Sequence, residues 1–222
     1  MKKLKIAIFD VNQTIFNLKE IENRFLEKKI KPEFVETWFA LTLKEGFALS
    51  NIGKFVDFKT IALNQLKNLS FSKKIKLQKK TINFLFDGFK NLKANKDIED
   101  AFKILKERKI KIVTLSNGAK ENCENLLKKN NLIHFIDKCF SIDQIRLWKP
   151  NPKTYEMVLN HYGYLPEDAI MIACHGWDVF GAKNAGLITG YSSHYEHYCS
   201  NYYPKADFQG KNILDLVKNI FI

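Results

Sequence analysis

The chain has 222 residues, enough to bury a substantial core as one large domain or as a core with a modest inserted domain. Its net charge of +12 comes mainly from lysines that are spread over nearly every helical segment, which indicates a solvated surface and argues against specific nucleic-acid binding. No stretch approaches the 18 consecutive apolar residues of a membrane span, and no cleavage pattern follows the basic amino terminus, so we expect a cytoplasmic protein without a membrane partner.

The cysteines are scattered along the chain without a CxxC pair, at positions Cys123, Cys139, Cys174 and Cys199. In a reducing compartment this spacing indicates free thiols. It favours neither a disulfide framework nor a structural metal site.

The first predicted element is a buried parallel strand that ends at Asp10. Residues 4–9 are mostly apolar, include β-branched isoleucine and show no clean alternation, as is typical of a strand covered on both faces. In open α/β sheets, ligands bind outside the carboxyl ends of the strands. Asp10 is therefore the first candidate for a functional carboxylate.

After Thr14 the pattern changes to helical periodicity for about 75 residues. Apolar residues recur at spacings of three and four, as in Phe34, Trp38 and Leu41. We predict amphipathic helices over four segments: 18–29, 32–49, 54–68 and 72–88. Together they predict a small helical domain at residues 16–89.

From residue 97 onward, predicted helices alternate with predicted strands. The helices are expected at 97–108, 119–130, 152–162, 179–185 and 212–221, and the strands at 110–115, 138–141, 169–173 and 187–191. Repeated βα units of this kind predict a doubly wound parallel sheet. The sequence thus predicts an α/β fold in which residues 1–15 and 90–222 form the sheet domain, with the helical domain inserted after the first strand.

Polar side chains collect at the predicted ends of these strands. The sets are Asp10 with Thr14, Ser116 with Asn117 and Gly118, Lys149 with Tyr155, and His175 with Asp178. Because the carboxyl ends of parallel strands meet at one edge of a sheet, we expect these side chains to form a single site.

Four stretches, Phe-Asp-Val-Asn-Gln-Thr, Leu-Ser-Asn-Gly, Leu-Trp-Lys-Pro-Asn-Pro and Cys-His-Gly-Trp-Asp-Val-Phe-Gly-Ala-Lys-Asn-Ala-Gly, resemble in this order the four motifs of the haloacid dehalogenase superfamily. The resemblance covers essentially the whole chain and implies a Rossmann-like core with an inserted helical cap. Lys-Pro-Asn-Pro-x-x-Tyr and Trp-Asp-x-x-Gly-Ala are most similar to the 2-haloacid dehalogenase branch. Phosphatase relatives usually carry a pair of acids in the fourth motif.

Asn12 distinguishes two chemistries within this resemblance. Phosphatases of the superfamily usually read Asp-x-Asp at the first motif, and an amide at the second position cannot exchange the proton that a phosphoester leaving group needs. A carboxylate that displaces halide from carbon needs no such proton, and water then cleaves the resulting ester. The sequence therefore favours a metal-independent dehalogenase of short 2-haloacids without a cofactor. The alternative is a magnesium-dependent phosphatase that uses Asp10 and Asp178.

The resemblance also implies a role for each residue of the site. Asp10 would be the nucleophile, and Lys149 would hold both Asp10 and the substrate carboxylate, keeping Asp10 ionised. The remaining roles fall to residues that would orient the nucleophile (Thr14, Tyr155), support the hydrolytic water (Asp178, His175) or contact the substrate (Asn12, Ser116, Asn117, Tyr155).

The cap lacks one residue that the resemblance predicts. The best-described dehalogenases carry a cap arginine that receives the halide, and residues 36–46 contain none. Trp38 and Phe39 would line an apolar halide pocket instead, with Lys44 or His175 as donors, or they would belong to the cap core.

The expected partner is a small-molecule haloacid, and a homodimer is one of the assemblies that the sequence allows. A non-enzymatic alternative is a degenerate family member that acts as a binding module or as a lysine-rich nucleic-acid binder, for which we expect salt-dependent binding without turnover.

Overall fold

The computed structural model describes residues 4–221. Six strands form one parallel sheet in the order β3-β2-β1-β4-β5-β6. Their bounds are β1 Ile6–Phe9, β2 Lys111–Ser116, β3 Lys138–Ser141, β4 Ala169–Ala173, β5 Ile188–Ser192 and β6 Phe208–Gly210. The predicted α/β fold with a Rossmann-like doubly wound parallel sheet is confirmed.

Helices cover both faces of this sheet, which explains why its central strand is apolar throughout. The covering helices are α5 Ile98–Glu107, α6 Lys120–Lys129, α7 Pro152–Tyr162, α8 Gly176–Asn184 and α9 Ile213–Phe221. Side chains alternate along β1, so Ala7 and Phe9 pack on the α5 side while Ile6 and Ile8 pack on the α7 side. Within residues 4–221, every helix is too short or too polar to cross a bilayer.

Four further helices lie between β1 and α5 and form the cap. They are α1 Lys19–Glu27, α2 Phe34–Asn51, α3 Phe58–Ser72 and α4 Lys79–Phe86, followed by a 3₁₀ turn at Asp87–Lys90. Their shared core is aromatic, since the Trp38 ring lies 5.9 Å from that of Phe25 and 5.5 Å from that of Phe89. The inserted helical cap is thus present, whereas the exact domain limits at residues 15 and 89 stay a prediction.

Several local predictions differ from the structure. The predicted cap helix 54–68 lies four residues later, at Phe58–Ser72. The predicted helix 72–88 begins only at Lys79, because Lys74 adopts a φ of +53° just after the end of α3. Helix α8 begins at Gly176, three residues before its predicted start at 179. The short edge strand β6 was not predicted, since three half-exposed residues carry no hydrophobic pattern.

Candidate active site

The ends of three neighbouring strands bring the predicted polar residues together. Phe9 is paired with Thr114 of β2 and with Ile172 of β4, so the residues that follow these positions lie side by side at one edge of the sheet. Asp10, Asn117 and His175 all occupy this edge and line one cavity. The strand register therefore brings residues more than 100 positions apart into contact distance.

Lys149 is the centre of a buried charged cluster. Its side chain is fully buried, and its ammonium Nζ donates to Asp10 Oδ1 at 2.8 Å, to Asp178 Oδ2 at 2.6 Å and to the Leu115 carbonyl at 3.0 Å. An ammonium has three hydrogens to donate, and these three acceptors use all of them. The predicted contact between Lys149 and a substrate carboxylate would therefore require one of these bonds to break.

Asp10 is held as a carboxylate with a fixed orientation. Burial alone would raise the pKa of Asp10, but the Lys149 ammonium, His175 and the Thr14 hydroxyl outweigh that effect and lower it below the ordinary value of 3.8. Thr14 Oγ1 donates to Asp10 Oδ2 at 2.7 Å and accepts from the backbone N–H of Cys174 at 3.1 Å. Thr14 thereby ties the nucleophile candidate to the end of β4.

Asp178 lies in the first turn of α8 and is sealed from the cavity. Its side chain is fully buried, its Oδ2 accepts from Lys149, and its Oδ1 accepts from the Tyr155 hydroxyl at 2.6 Å. Burial raises the pKa of Asp178 above its ordinary value. Tyr155, predicted to contact substrate, instead lies behind Asp178 and does not line the cavity.

A small cavity of about 10 Å³ faces Asp10. Its lining consists of Asp10, Asn12, Phe39, Leu43, Phe58, Ser116, Asn117, His175 and Trp177. Asn117 Oδ1 accepts from the backbone N–H of Lys149 at 2.9 Å, which aims the amide, and within residues 4–221 its Nδ2 has no hydrogen-bond partner. Ser116 Oγ accepts from the Gly118 N–H at 2.8 Å and keeps its own hydrogen available for donation. These two donors suit an anionic ligand group.

A second cavity of about 560 Å³ adjoins the first and shares Asn12, Phe58 and Ser116 with it. Cap aromatic residues and lysines of both domains line it, among them Phe86, Phe89, Lys59, Lys90 and Lys128. Its size lies within the range of small-molecule sites. Its lysines share the lining with the acidic residues Asp57, Glu121 and Asp143, so its charge is mixed.

His175 directly follows β4 and faces the nucleophile candidate. Its Nε2 lies 3.9 Å from Asp10 Oδ2 and 3.4 Å from the Asn12 carbonyl oxygen, while its Nδ1 lies 3.3 Å from Glu196 Oε1. Burial opposes a charge on the imidazole, whereas the Cys174 sulfur, Glu196 and Asp10 raise the pKa of His175 well above its ordinary value. Sequence reasoning missed Glu196, because it lies in the loop after β5, outside every recognisable motif.

The cap residues predicted for the site separate into two groups. Phe39 lines the small cavity. Trp38 is buried in the cap core, where its indole N–H donates to the Ala62 carbonyl at 2.8 Å, so it takes the second of its two predicted roles. Lys44 is exposed and lines neither cavity.

The donor set does not fit a divalent cation between the two aspartates. Such an ion would need oxygens of both Asp10 and Asp178, and the Lys149 ammonium is hydrogen-bonded to each of them. Across the described part of the chain, no group of three His, Cys, Asp or Glu side chains has the geometry of a metal site.

Comparison with known proteins identifies the class of fold. A model of haloacid dehalogenase-like hydrolases matches residues 7–190. (S)-2-haloacid dehalogenase 1 of Pseudomonas sp. (strain CBS-3) is 23% identical over 191 residues, which cover 85% of this chain and 84% of the relative. Haloacetate dehalogenase H-2 of Moraxella sp. (strain B) is 23% identical over 189 residues, or 84% of each chain.

A solved structure shares the whole architecture. The L-2-haloacid dehalogenase of Xanthobacter autotrophicus with covalently bound chloropropionic acid superposes with a TM-score of 0.89, at 19% identity, over 98% of both chains. The fold is thus a Rossmann-like α/β core with an inserted helical cap. The chain belongs to the haloacid dehalogenase-like hydrolase family.

Proposed function

We propose that this protein hydrolyses the carbon–halogen bond of a short 2-haloacid to give the 2-hydroxyacid, through an ester on Asp10. The observation that carries the proposal is an ionised, buried Asp10 that faces a cavity whose remaining donors, Ser116 and Asn117, suit a carboxylate. At about 10 Å³ the cavity holds about one water molecule, so a haloacid must displace side chains of the cap wall to bind there. Two relatives, one named a haloacid dehalogenase and one a haloacetate dehalogenase, support the proposal, and each aligns with this chain over most of both lengths.

In the first step, an Asp10 oxygen attacks C2 of the substrate and the halide leaves with the electron pair of the broken bond. Ser116 and Asn117 donate to the substrate carboxylate and hold C2 beside the nucleophile. Lys149 and Thr14 fix the orientation of Asp10. Phe39, Leu43 and Phe58 keep bulk water out, so the negative charge of the nucleophile is less solvated and more reactive.

In the second step, water attacks Cγ of the Asp10 ester, and the bond between Cγ and the ester oxygen breaks. The hydroxyacid leaves with an oxygen that belonged to Asp10, and the water oxygen stays on the enzyme. The covalently bound chloropropionic acid in the Xanthobacter autotrophicus enzyme supports a covalent route for that relative.

Isotope labelling tests the covalent step. Repeated turnover of chloro-, bromo- or fluoroacetate in heavy-oxygen water should place label in the peptide that contains Asp10, as read by mass spectrometry. Asp10→Asn should release no halide. Labelled product with an unlabelled enzyme after many turnovers would contradict the ester.

Magnesium-dependent phosphatase activity is the weaker candidate. Asn12 cannot protonate a leaving group. The Lys149 ammonium is hydrogen-bonded to Asp10 and Asp178, the two carboxylates that would hold the metal. Haloacid turnover that persists in the presence of a chelator, with no turnover of phosphoesters in added magnesium, separates the two activities.

We also infer a cytoplasmic setting and a small-molecule partner, with neither nucleic acid nor a membrane bound. The cysteines are free thiols, as a reducing compartment favours. Sedimentation velocity over a range of concentrations decides between a monomer and a homodimer.

A further inference from the structure

We propose that His175, positioned by Glu196, is the general base that activates the water that hydrolyses the Asp10 ester. The inference rests on the proposed function and assigns the second half of that reaction to two residues. His175 is the catalytic residue, because it contacts the reacting water, and Glu196 is a positioning residue, because it acts through His175.

The two other titratable groups next to Asp10 are already occupied. Both Asp178 oxygens accept short hydrogen bonds, from Tyr155 and Lys149, and the Asp178 side chain has no exposed surface. The three Lys149 hydrogens are bound to protein acceptors. A water in the cavity would therefore find neither Asp178 nor Lys149 in hydrogen-bond reach without disruption of this cluster.

His175 has the required access to such a water. Among the described residues that line the small cavity, His175 is the one side chain that can exchange a proton near neutral pH, because the pKa of Asp10 is lowered. Its Nε2 lies 3.9 Å from Asp10 Oδ2, so a water beside Cγ of the ester would lie within hydrogen-bond reach of Nε2. The water would replace the Asn12 carbonyl as partner of Nε2, a contact of 3.4 Å that is much longer than the 2.6 Å bonds of Asp178.

Glu196 and three aromatic rings fix the imidazole. Glu196 Oε1 lies 3.3 Å from Nδ1, and its other oxygen accepts from the backbone N–H of Gly176 at 2.7 Å, which anchors the carboxylate at the start of α8. The imidazole is stacked near Phe39 and Trp177, at centroid distances of 6.3 and 5.4 Å, and Tyr195 meets it edge-on at 5.4 Å. The ring cannot turn without loss of these contacts. His175 thus lies between the nucleophile Asp10 and the orienting carboxylate of Glu196 and is close to both.

The surrounding charges explain when the base becomes active. Four titratable groups face His175: Asp10 after β1, Cys174 after β4, and Tyr195 and Glu196 in the loop after β5. The Lys149 ammonium lies further off, 5.6 Å from the centre of the Trp177 ring. In the free enzyme Cys174, Glu196 and Asp10 outweigh burial and raise the pKa of His175, which favours an imidazolium beside ionised Asp10. Ester formation removes the Asp10 charge and lowers that pKa. The proton can leave past Glu196, whose side chain is 31% exposed.

Protons in the hydrolytic step move between the water, His175 and Asp10. Neutral Nε2 takes a proton from water as the water oxygen bonds to Cγ of the ester. When the bond from Cγ to the ester oxygen breaks, the departing alkoxide takes that proton and becomes the hydroxyl of the product. The new carboxyl proton of Asp10 then passes to Nε2, which restores the carboxylate and the imidazolium of the free enzyme.

Trapping of the ester tests the proposal directly. His175→Gln, mixed with chloroacetate, should release about one halide per enzyme and accumulate an Asp10 ester by intact-protein mass spectrometry, with hydrolysis slower by about 10²-fold or more. His161→Gln, on the exposed side of α7, is the matched control and should turn over normally. Turnover of His175→Gln at the wild-type rate without ester would overturn the base assignment and leave the proposed function intact. A wild-type enzyme that forms no ester and releases no halide would instead overturn the proposed function.

The pH profile of Glu196→Gln tests the positioning role and decides the question if His175→Gln does not fold. Ester hydrolysis needs neutral His175, so kcat is lost as pH falls through the pKa of His175 in the ester. Loss of the Glu196 charge lowers that pKa, so the acid limb of kcat should move to lower pH while the maximum of kcat falls. Glu196→Asp should restore part of the position of the acid limb and part of the maximum of kcat. Glu156→Gln, on the exposed surface of α7, should change neither quantity. A lower kcat with an unmoved acid limb would overturn the proposal.

Discussion

The two walls of the small cavity differ in chemistry, although the Trp177 ring lies on the sheet-domain side. The wall formed by the sheet domain carries Asp10, Ser116, Asn117 and His175, at the ends of strands whose register fixes their spacing. The cap wall carries only apolar side chains, namely Phe39, Leu43 and Phe58. The reacting groups therefore lie at the ends of the strands, whereas the cap determines the shape of the cavity and excludes water from it.

The sheet wall is supported from behind by charges that are buried together. One lysine and two aspartates share the space below the cavity, and each carboxylate also accepts from a hydroxyl, that of Thr14 or Tyr155. Buried charges are tolerated only when they are paired and hydrogen-bonded. Substitutions in the charged cluster should therefore lower both stability and activity, whereas substitutions on the cap wall should mainly lower kcat/KM.

Lys149→Met should have the largest effect, because it leaves two buried carboxylates without their cation. We expect a loss of about 3–5 kcal/mol in the free energy of unfolding at pH 7. The loss should shrink as pH falls, since protonation removes the unpaired charges. Urea denaturation at pH 7 and pH 5 measures it. Lys153→Met, at an exposed lysine of α7, should stay within about 0.5 kcal/mol of wild type.

Loss of haloacid turnover should accompany this change even where Lys149→Met is folded. Without the ammonium, the pKa of Asp10 rises and its orientation is no longer fixed. Halide release at the wild-type rate by folded Lys149→Met would show that the cluster contributes to stability and not to the reaction.

Two neighbouring cap residues sharpen the contrast between cavity wall and cap core. Phe39→Ala should lower kcat/KM for haloacetates by about tenfold, a change of about 1.4 kcal/mol, because it opens the apolar wall to water. Trp38→Phe removes one hydrogen bond to Ala62, so it should cost about 1 kcal/mol of stability and leave kcat/KM unchanged. Steady-state kinetics and thermal unfolding of both variants measure these effects. Equal kinetic losses would contradict the separation.

Asn12→Asp should have the smallest effect and tests which group selects the chemistry. The new carboxylate can protonate a leaving group, so we expect weak magnesium-dependent hydrolysis of p-nitrophenyl phosphate, limited because Lys149 still occupies Asp10 and Asp178. Its charge should also repel the substrate carboxylate and lower kcat/KM for haloacids several-fold. Asn12→Ser removes the amide without adding an acid and serves as the control. Full dehalogenase activity with no phosphatase gain would show that Asn12 does not select between the two reactions.

Residues next to each other in the sequence show where sequence reasoning stops. Trp38 and Phe39 are both apolar residues of one helix, and their side chains project about 100° apart around its axis. Hydrophobic periodicity predicts that both are buried, yet it does not distinguish the cap core from the cavity wall. Tyr155 illustrates the same limit, since its motif predicts proximity to the site but not the side of Asp178 on which it lies.

The parallel α/β fold, the inserted cap and the family can all be predicted from the sequence, because uninterrupted apolar strands, helical periodicity and four motifs are local patterns. The tertiary structure was needed to show that Asp10, Asp178 and the Leu115 carbonyl together occupy the Lys149 ammonium and that Asp178 does not line the cavity. It also decided that Glu196 meets His175. These contacts join residues far apart in the chain, 139 positions for Lys149 and Asp10 and 21 for Glu196 and His175. Such contacts depend on strand register and helix packing, which no local pattern of residues specifies.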